Sequence, residues 1–459
     1  MKLLNLTDQI YCATYEDGKV IYVEYGVPED IVDLQYLYNK KKIIFAKIDK
    51  MITPSPFRVT PICKHFTKCG GCQWQHIVYS QQLKAKEQLV IDKLKTIAHI
   101  FHDVLPIIKA DNIFEYRNKL EYTFSNTRWL EDNELKSDNI DNKQNVLGFH
   151  KKGFYDKIIN IEKCHLQNDI SNIIRNTIYE FCLSNDYSFY DFNKHTGNLR
   201  NLIIKTTLLG QIMVIVQFGK TENYKVEKLM EFIKDSFPNI NSLQYVINLK
   251  ANETFFDLPV ICYYGEQYIY EKMNHLKWRI GPKSFFQMNT LQAIKLYDKI
   301  IELGDIQKDD VVYDLYTGIG TIALYIAKYC KKVIGIELVE EAIENAKINT
   351  QINNINNVEF FVNDIKNIVK DKNINIDTHV DIIIVDPPRS GLDKHVIDII
   401  KTIKPRKLIY VSCNVSTQAR DIAYMLDMYD IVYIQPVDMF PQTSHIENII
   451  VMNIKDCIK

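Results

Sequence analysis

The feature that most limits what this chain can fold into is a change of rhythm at about Lys277. From there to the end, short apolar runs of strand character alternate with segments of helical spacing. Val311 to Tyr316 reads as a strand, Thr321 to Tyr329 as a helix, Lys332 to Glu337 as a strand and Val339 to Ile352 as a helix. Further strands are expected at Val358 to Val362, Asp381 to Val385 and Leu408 to Ser412, with one after Tyr429 and another over Asn448 to Met452. Alternation of this kind implies an α/β architecture, an open and mostly parallel sheet with helices on both faces. In such sheets ligands sit outside the carboxyl ends of the strands. Those ends are where chemistry is to be sought.

The segment Asp314-Leu-Tyr-Thr-Gly318-Ile-Gly320-Thr321 leaves the first strand and opens a helix. Its glycines let backbone approach a ligand closely. A dinucleotide loop would carry a third glycine and a phosphate loop a Gly-Lys-Ser/Thr; both are missing, so a ligand without phosphates fits better. Glu337 closes the second strand, where an acid can take both hydroxyls of an adenosine ribose, and Asp364 ends the third, in place to meet the adenine edge. Together they suit S-adenosylmethionine. An isolated Asp or Gly is as readily a cap or turn residue, so the weight lies in the set.

The last quarter holds Asp386-Pro-Pro-Arg389, then Cys413 in Tyr-Val-Ser-Cys-Asn, then Glu447 in Thr-Ser-His-Ile-Glu-Asn. A thiol with carboxylates beside it matches one-carbon chemistry on a pyrimidine. Ring carbon C5 of uracil is a poor nucleophile until a thiolate adds at C6 and makes C5 enolate-like. Taken singly, Cys413 would be a small apolar residue at a strand end and Glu447 a surface carboxylate. A free thiol has a pKa of about 8.5, so such a site must favour the anion. Helix amides after Cys413, where Asn414 and Ser416 begin a polar lead-in, are the sequence's candidates for that task.

Upstream, residues 1 to about 54 read as short strands: Lys19 to Tyr25, a turn at Gly26 to Asp30, Ile31 to Leu34, and Ile43 to Ile48. Their close spacing suggests a small barrel. Thr53-Pro54-Ser55-Pro56 marks a linker. Residues 55–276 then form a β-rich middle, with strands at Lys119 to Phe124, Leu199 to Thr207 and Gln211 to Gln217, a polar loop over 131–145, and a helix near Gln81 to Ile100 able to pack on the catalytic domain. Residues 277–459 make up the α/β domain.

At 459 residues the chain exceeds what one core usually holds. No run of about 18 apolar residues and no export leader is present, so no membrane contact and a cytoplasmic location are expected. In that compartment the ten cysteines are not expected to form a disulfide framework, and metal binding or catalysis is considered instead. Cys63, Cys69 and Cys72 lie close together, and a closed site needs a fourth ligand, for which His65 and His76 are possible substitutes. Cysteines 12, 182, 262, 330 and 457 read as packing or surface residues. With a net charge of −1, a nucleic acid must be held by local patches such as Lys40-Lys41-Lys42 and the lysines at 84, 86, 93 and 95.

Many separated motifs also resemble, in family order, the RNA uracil-C5 methyltransferases. They are Cys63-x5-Cys69-Gly-Gly-Cys72-Gln-Trp-Gln-His76, Glu115-Tyr-Arg-Asn-Lys119, Gly148-Phe-His, Cys164-His-Leu-Gln, Leu199-Arg-Asn-Leu, Ser284-Phe-Phe-Gln287, Asp314 to Thr321, Asp386-Pro-Pro-Arg-Ser-Gly-Leu392, Val411-Ser-Cys413-Asn and the segment ending in Glu447. The resemblance implies a class I, Rossmann-like methyltransferase domain at the C-terminus. It implies Cys413 as nucleophile, Glu447 as the base that removes the C5 proton, and Gln287, Tyr316, Gly318, Gly320, Thr321, Glu337, Asp364 and Asp386 around the methyl donor. It implies Cys164 as fourth ligand with Cys63, Cys69 and Cys72 of a four-iron four-sulfur cluster; on chemistry alone zinc stays open. The N-terminal barrel would be the family's OB-like TRAM domain. The cysteines and barrel resemble members acting on 23S ribosomal RNA, with uracil 1939 favoured over uracil 747 or transfer RNA, at an unpaired or flipped uridine. A monomer is expected. A non-catalytic iron–sulfur RNA-binding protein and a cytosine-C5 enzyme are the competing readings.

Overall fold

The computed structural model describes residues 1–130, 134, 143–367 and 380–456. Most of the polar stretch 131–145 and Cys457 lie outside the described residues. Five strands open the chain: β1 (Asn5–Leu6), β2 (Tyr11–Glu16), β3 (Lys19–Glu24), β4 (Ile31–Lys40) and β5 (Ile43–Thr53), in the order β1-β2-β3-β5-β4. A bridge between Lys2 and Ile31 joins the two edges. Alternate residues of β3 turn inward, Ile21 and Val23 among them, as the two-residue period of a strand requires. The sequence reading missed β1 and β2, whose run Tyr11-Cys-Ala-Thr-Tyr-Glu is short and mixed in polarity.

The middle region is built on a seven-stranded sheet of β6 (Lys119–Ser125), β7 (Val146–His150), β8 (Ile158–Asn160), β9 (Leu199–Thr206), β10 (Ile212–Phe218), β11 (Ser242–Ile247) and β12 (Ile261–Gly265), ordered β12-β11-β10-β9-β6-β7-β8. Strands β9 and β10 are buried along their whole length. Two helices that sequence reading did not anticipate, α2 (Asp169–Ser184) and α3 (Asn223–Ser236), bury Ile174, Ile178, Leu229 and Ile233 in one core with that sheet. Their apolar residues recur at helical spacing, so the signal was present.

Helix α1 (Tyr79–Ala98) precedes this sheet but packs against the C-terminal region, meeting α8 (Val415–Ala423) and sharing a core with Ile383 and Tyr410. Its inward stripe is Gln82, Lys86, Val90, Leu94 and Ala98, at four-residue spacing. That stripe corrects the expectation for Lys86. Its ammonium is fully buried, paired with Asp438 at 2.5 Å and bonded to the Phe440 carbonyl at 3.0 Å, so it is no part of a surface patch for RNA.

The C-terminal sheet contains β15 (Val311–Leu315), β16 (Lys332–Glu337), β17 (Val358–Val362), β18 (Ile382–Val385), β19 (Lys407–Ser412), β20 (Tyr429–Val437) and β21 (Glu447–Ile454), in the order β17-β16-β15-β18-β19-β21-β20. The first five are parallel, while β21 inserts antiparallel between β19 and β20. Helices α4 (Thr290–Gly304), α5 (Thr321–Ile326), α6 (Glu340–Ile352), α7 (Lys394–Ile403) and α8 cover it. The hairpin β13 (Ile269–Met273) and β14 (Leu276–Ile280) shares one core with α4, α5 and the middle sheet's Met213 and Ile215, so the two large sheets are welded through it. Among the described residues no helix is long and apolar enough to cross a membrane.

Candidate active site

Strand register, not sequence proximity, assembles this site. Where β19 pairs antiparallel with β21, Ser412 lies opposite Asn448. Cys413, one residue on, and Glu447, one residue back, therefore meet at the same edge. Val385 ends β18 beside Tyr410 of β19, which brings the following Asp386 to that edge as well. Glu447 is only 4% exposed. Burial and the nearby Asp386 carboxylate push its carboxyl well above the ordinary range, and burial raises Asp386 too.

The Cys413 thiol is pushed up to about 11 by burial and by the two carboxylates. One group opposes this: the Arg389 guanidinium, which hydrogen-bonds the thiol and lowers its pKa. The helix amides expected to do so are engaged elsewhere, because Asn414 caps α8 by accepting from the Ser416 amide at 3.1 Å. Arg389 was quoted in the Asp-Pro-Pro-Arg motif without a role; its place one loop from the thiol strand was the available signal. Asn414 and Thr417 both donate to the Arg389 carbonyl, at 2.9 and 3.3 Å, and fix that loop. A cavity of about 190 Å³ holds Cys413 and Arg389 with Asp8, Lys93, Ser444 and His445.

The expected donor residues divide between two further cavities. One of about 590 Å³ is lined by Tyr316, Glu337 and Asp364; the other, about 250 Å³, by Gly318, Glu337, Ser284 and Phe285. Glu337 borders both and accepts from the amides of Gly318, Leu338 and Val339 at 3.2, 2.8 and 3.1 Å, so its carboxylate is held at the strand end. Gly318 has φ of 55° and open space where a side chain would stand, as close backbone approach to a ligand needs. Gly320 differs: a Cβ there would meet the Phe360 ring at 2.7 Å, so packing as well as its φ of 81° demands glycine. Gln287, Gly320, Thr321 and Asp386 lie outside the lining of these three cavities. Thr321 begins α5 and accepts from the Tyr297 hydroxyl at 3.2 Å. Asp364 accepts from the Lys366 amide at 3.0 Å. Asp314, buried beneath the loop, is raised to about 7 by desolvation, against a hydrogen bond from Thr317.

Gln287 is presented on a segment clamped from the middle sheet, which sequence reading missed. Asn118 Nδ2 donates to the Gln287 carbonyl at 2.8 Å, and Lys205 Nζ donates to the carbonyls of Gly281, Pro282 and Ser284 at 2.8, 2.9 and 3.3 Å. Burial lowers Lys205 to about 7.

Cys63, Cys69, Cys72 and Cys164 converge on one cavity of about 560 Å³, together with His65, Arg117 and Lys151. None of them is in a disulfide. A backbone bridge from Cys69 to Lys151 docks the first three against the middle sheet. Burial raises all four thiols, Cys69 to about 12. Among the described residues no group of three His, Cys, Asp or Glu side chains is arranged to hold a metal ion. His76 is buried against the Tyr25 and Phe66 rings, outside this cavity's lining. Cys12, Cys182 and Cys330 are buried in cores, and Cys262 is partly buried.

A sheet with this strand order, a glycine turn after its first strand and acids at the next strand ends defines the nucleoside-binding methyltransferase class of α/β proteins. Comparison with known proteins narrows the class. The family described as tRNA (uracil-5-)-methyltransferase matches residues 204–455. A Bacteroides thetaiotaomicron protein described as an RNA methyltransferase is 44% identical over 440 residues, covering 95% of this chain and 97% of that one. A Chlorobaculum tepidum protein of the same description is 35% identical over 448 residues, covering 96% and 93%. The crystal structure of Pyrococcus abyssi tRNA (uracil-54, C5)-methyltransferase in complex with S-adenosyl-L-homocysteine superimposes with a TM-score of 0.75 at 26% identity, over 98% of this chain and 99% of that one. The chain belongs to the tRNA (uracil-5-)-methyltransferase family and is an S-adenosylmethionine-dependent RNA methyltransferase. The last likeness also revises one expectation. An enzyme named for a transfer-RNA target matches nearly the whole chain, so the overall fold does not by itself separate a ribosomal-RNA from a transfer-RNA target.

Proposed function

We propose that the protein methylates C5 of a uridine in 23S ribosomal RNA, uracil 1939 foremost, through a covalent adduct of Cys413 at ring carbon C6. The observation that carries the chemistry is the meeting of Cys413, Glu447, Asp386 and Arg389 at one edge of the sheet. S-adenosylmethionine supplies an activated methyl group on a cationic sulfonium. Tyr316, Glu337 and Asp364 hold the nucleoside end of the donor, and Gly318, Thr321, Gln287 and Asp386 its reacting end, with Gly320 shaping the turn between. Arg389 stabilises the Cys413 thiolate, which adds to C6 and drives electrons to C5. Once C5 carries the methyl, Glu447 takes its proton, the C5–H electron pair restores the ring double bond, and the C6–S bond breaks to return the thiolate. The cationic neighbours a bound donor and Arg389 provide favour the ionised forms of buried Glu447 and Cys413.

In the same reading, the closed N-terminal sheet is a TRAM-type RNA binder and the four cysteines hold a four-iron four-sulfur cluster. What supports the cluster is the donor set: four reduced thiols around one cavity, whose burial disfavours thiolates unless metal compensates. Arg117, Lys119, Lys151, Lys152 and Lys163 around that cavity suit a folded RNA larger than the target loop. Transfer RNA is the second reading, favoured by the full-length likeness to the archaeal uracil-54 enzyme. Mass mapping of 5-methyluridine in ribosomal and transfer RNA from a strain lacking the gene tests both. Loss of the modification at 23S uracil 1939 is expected; loss confined to transfer RNA selects the second reading, and loss in neither overturns the proposal.

A further inference from the structure

The segment between β20 and β21 ends on Glu447, and its backbone is held by residues far away in sequence. Gln442 has φ of 68°, a left-handed conformation that is costly for a residue with a side chain and persists only where surroundings impose it. The amides of Gln73 and Trp74 both donate to its carbonyl, at 2.8 and 3.0 Å. Gln82 on α1 accepts from the Gln442 amide at 3.0 Å and donates to its side-chain oxygen at 3.1 Å. Two residues later, Ser444 places both its amide and its hydroxyl on Gln73 Oε1, at 3.1 and 2.6 Å. Gln73 and Ser444 are 8% and 6% exposed, so water cannot replace these bonds cheaply.

The start of the segment is anchored separately. Asp438 is fully buried between the Lys86 ammonium at 2.5 Å and the Tyr79 hydroxyl at 2.7 Å. Losing Gln73 Oε1 therefore removes the partner of the Ser444 amide and one of two acceptors of its hydroxyl, the Asp8 carbonyl at 2.7 Å being the other, three residues before Glu447 enters β21 opposite Val437, and leaves the start of the segment fixed. We propose that Gln73, the residue after Cys72, is a positioning residue that sets Glu447 against C5 of the target base, so that the cysteine-bearing segment governs proton removal. This rests on the assignment of Glu447 as base given above. A displaced Glu447 leaves addition of Cys413 and methylation of C5 possible but slows removal of the C5 proton. Without that step the C6–S bond cannot break, and the methylated adduct persists.

The test is a Gln73→Met enzyme with S-adenosylmethionine and ordinary uridine RNA, assayed for turnover, denaturant-stable protein–RNA adduct and donor affinity. Turnover is expected to fall roughly ten- to a hundredfold, the scale of a misplaced reacting group, with adduct rising several-fold and donor affinity unchanged. Ser444→Ala, which removes the hydroxyl arm and keeps the amide arm, is expected to raise adduct less, and decides the matter if Gln73→Met does not fold. Lower turnover without adduct, or unchanged turnover and adduct, overturns the proposal. Glu447→Gln run in parallel separates the two assignments: if it accumulates no adduct, Glu447 is not the base; if it does and the Gln73 and Ser444 variants do not, only the positioning role falls.

Discussion

The molecule gathers cysteine in two places, and the thiols differ in company rather than in kind. Cys413 stands alone at the carboxyl edge of a parallel strand, with the buried Glu447 and partly buried Asp386 carboxylates and one guanidinium around it. Cys63, Cys69, Cys72 and Cys164 share a cavity whose acidic lining is slight and whose charged groups are mostly cations. Burial raises every one of these thiols. What separates the sites is what can lower them again: Arg389 and a cationic donor at the first, a metal at the second. A lone thiol beside a base can attack and leave; four thiols around one space can share a cluster. On the proposed function, one site does chemistry and the other holds structure.

The largest expected effect breaks the first half of that contrast. Cys413→Ala should abolish 5-methyluridine formation, by on the order of 10⁴-fold or more for loss of a covalent nucleophile. The same variant should lose the covalent adduct with 5-fluorouracil RNA. Retained activity would return Cys413 to being a packed strand-end residue. A smaller change sharpens the electrostatic side. Arg389 lowers the thiol's pKa, so Arg389→Met should raise it above about 11. The rate rises with thiolate fraction, so its pH dependence should shift to higher pH, with a loss of roughly tenfold near neutrality, corresponding to one pKa unit. An unmoved pH–rate profile would mean that something other than Arg389 stabilises the anion.

The two sites were unequally legible. The parallel strands of the C-terminal sheet fell within a residue or so of their positions because buried strands announce themselves as continuous apolar runs, of which the β-branched stretch Ile382 to Val385 is the plainest. The family resemblance pairs Cys413 with Glu447, but the register that joins them was not legible, since it depends on β21 entering antiparallel between β19 and β20, and no local pattern reports the order of strands in a sheet. The same limit hid the two clamps. Lys205 draws no notice inside its strand and Lys86 reads as part of a surface patch for nucleic acid, yet one satisfies three carbonyls behind the Gln287 segment and the other neutralises Asp438 inside the core. For Lys86 a four-residue stripe from Gln82 to Ala98 pointed inward, and the charge outweighed it in the reading. Two helices of the middle sheet, α2 and α3, were missed because the strands around them are the stronger apolar signal.

The smallest expected effect tests the second half of the contrast. Cys164→Ser removes one thiol of the shared cavity and touches nothing at the Cys413 edge. Anaerobically purified protein should then lose the broad visible absorption band of an iron–sulfur cluster, and its thermal midpoint should fall, since a bound metal contributes directly to folding stability. Single-turnover transfer of the methyl group to C5 of a short uridine RNA should stay within about fivefold of the unaltered enzyme, because Cys413 and Arg389 keep their own supports, whereas any slip of Gln73 acts on the later removal of the C5 proton. Serine is close to cysteine in size, so a larger loss cannot be laid to a cavity left in the core. Two results would collapse the distinction between the sites. A fall in rate matching that of Cys413→Ala would make the cluster thiols part of the chemistry, and a colourless, zinc-loaded parent protein would replace the cluster with a single ion.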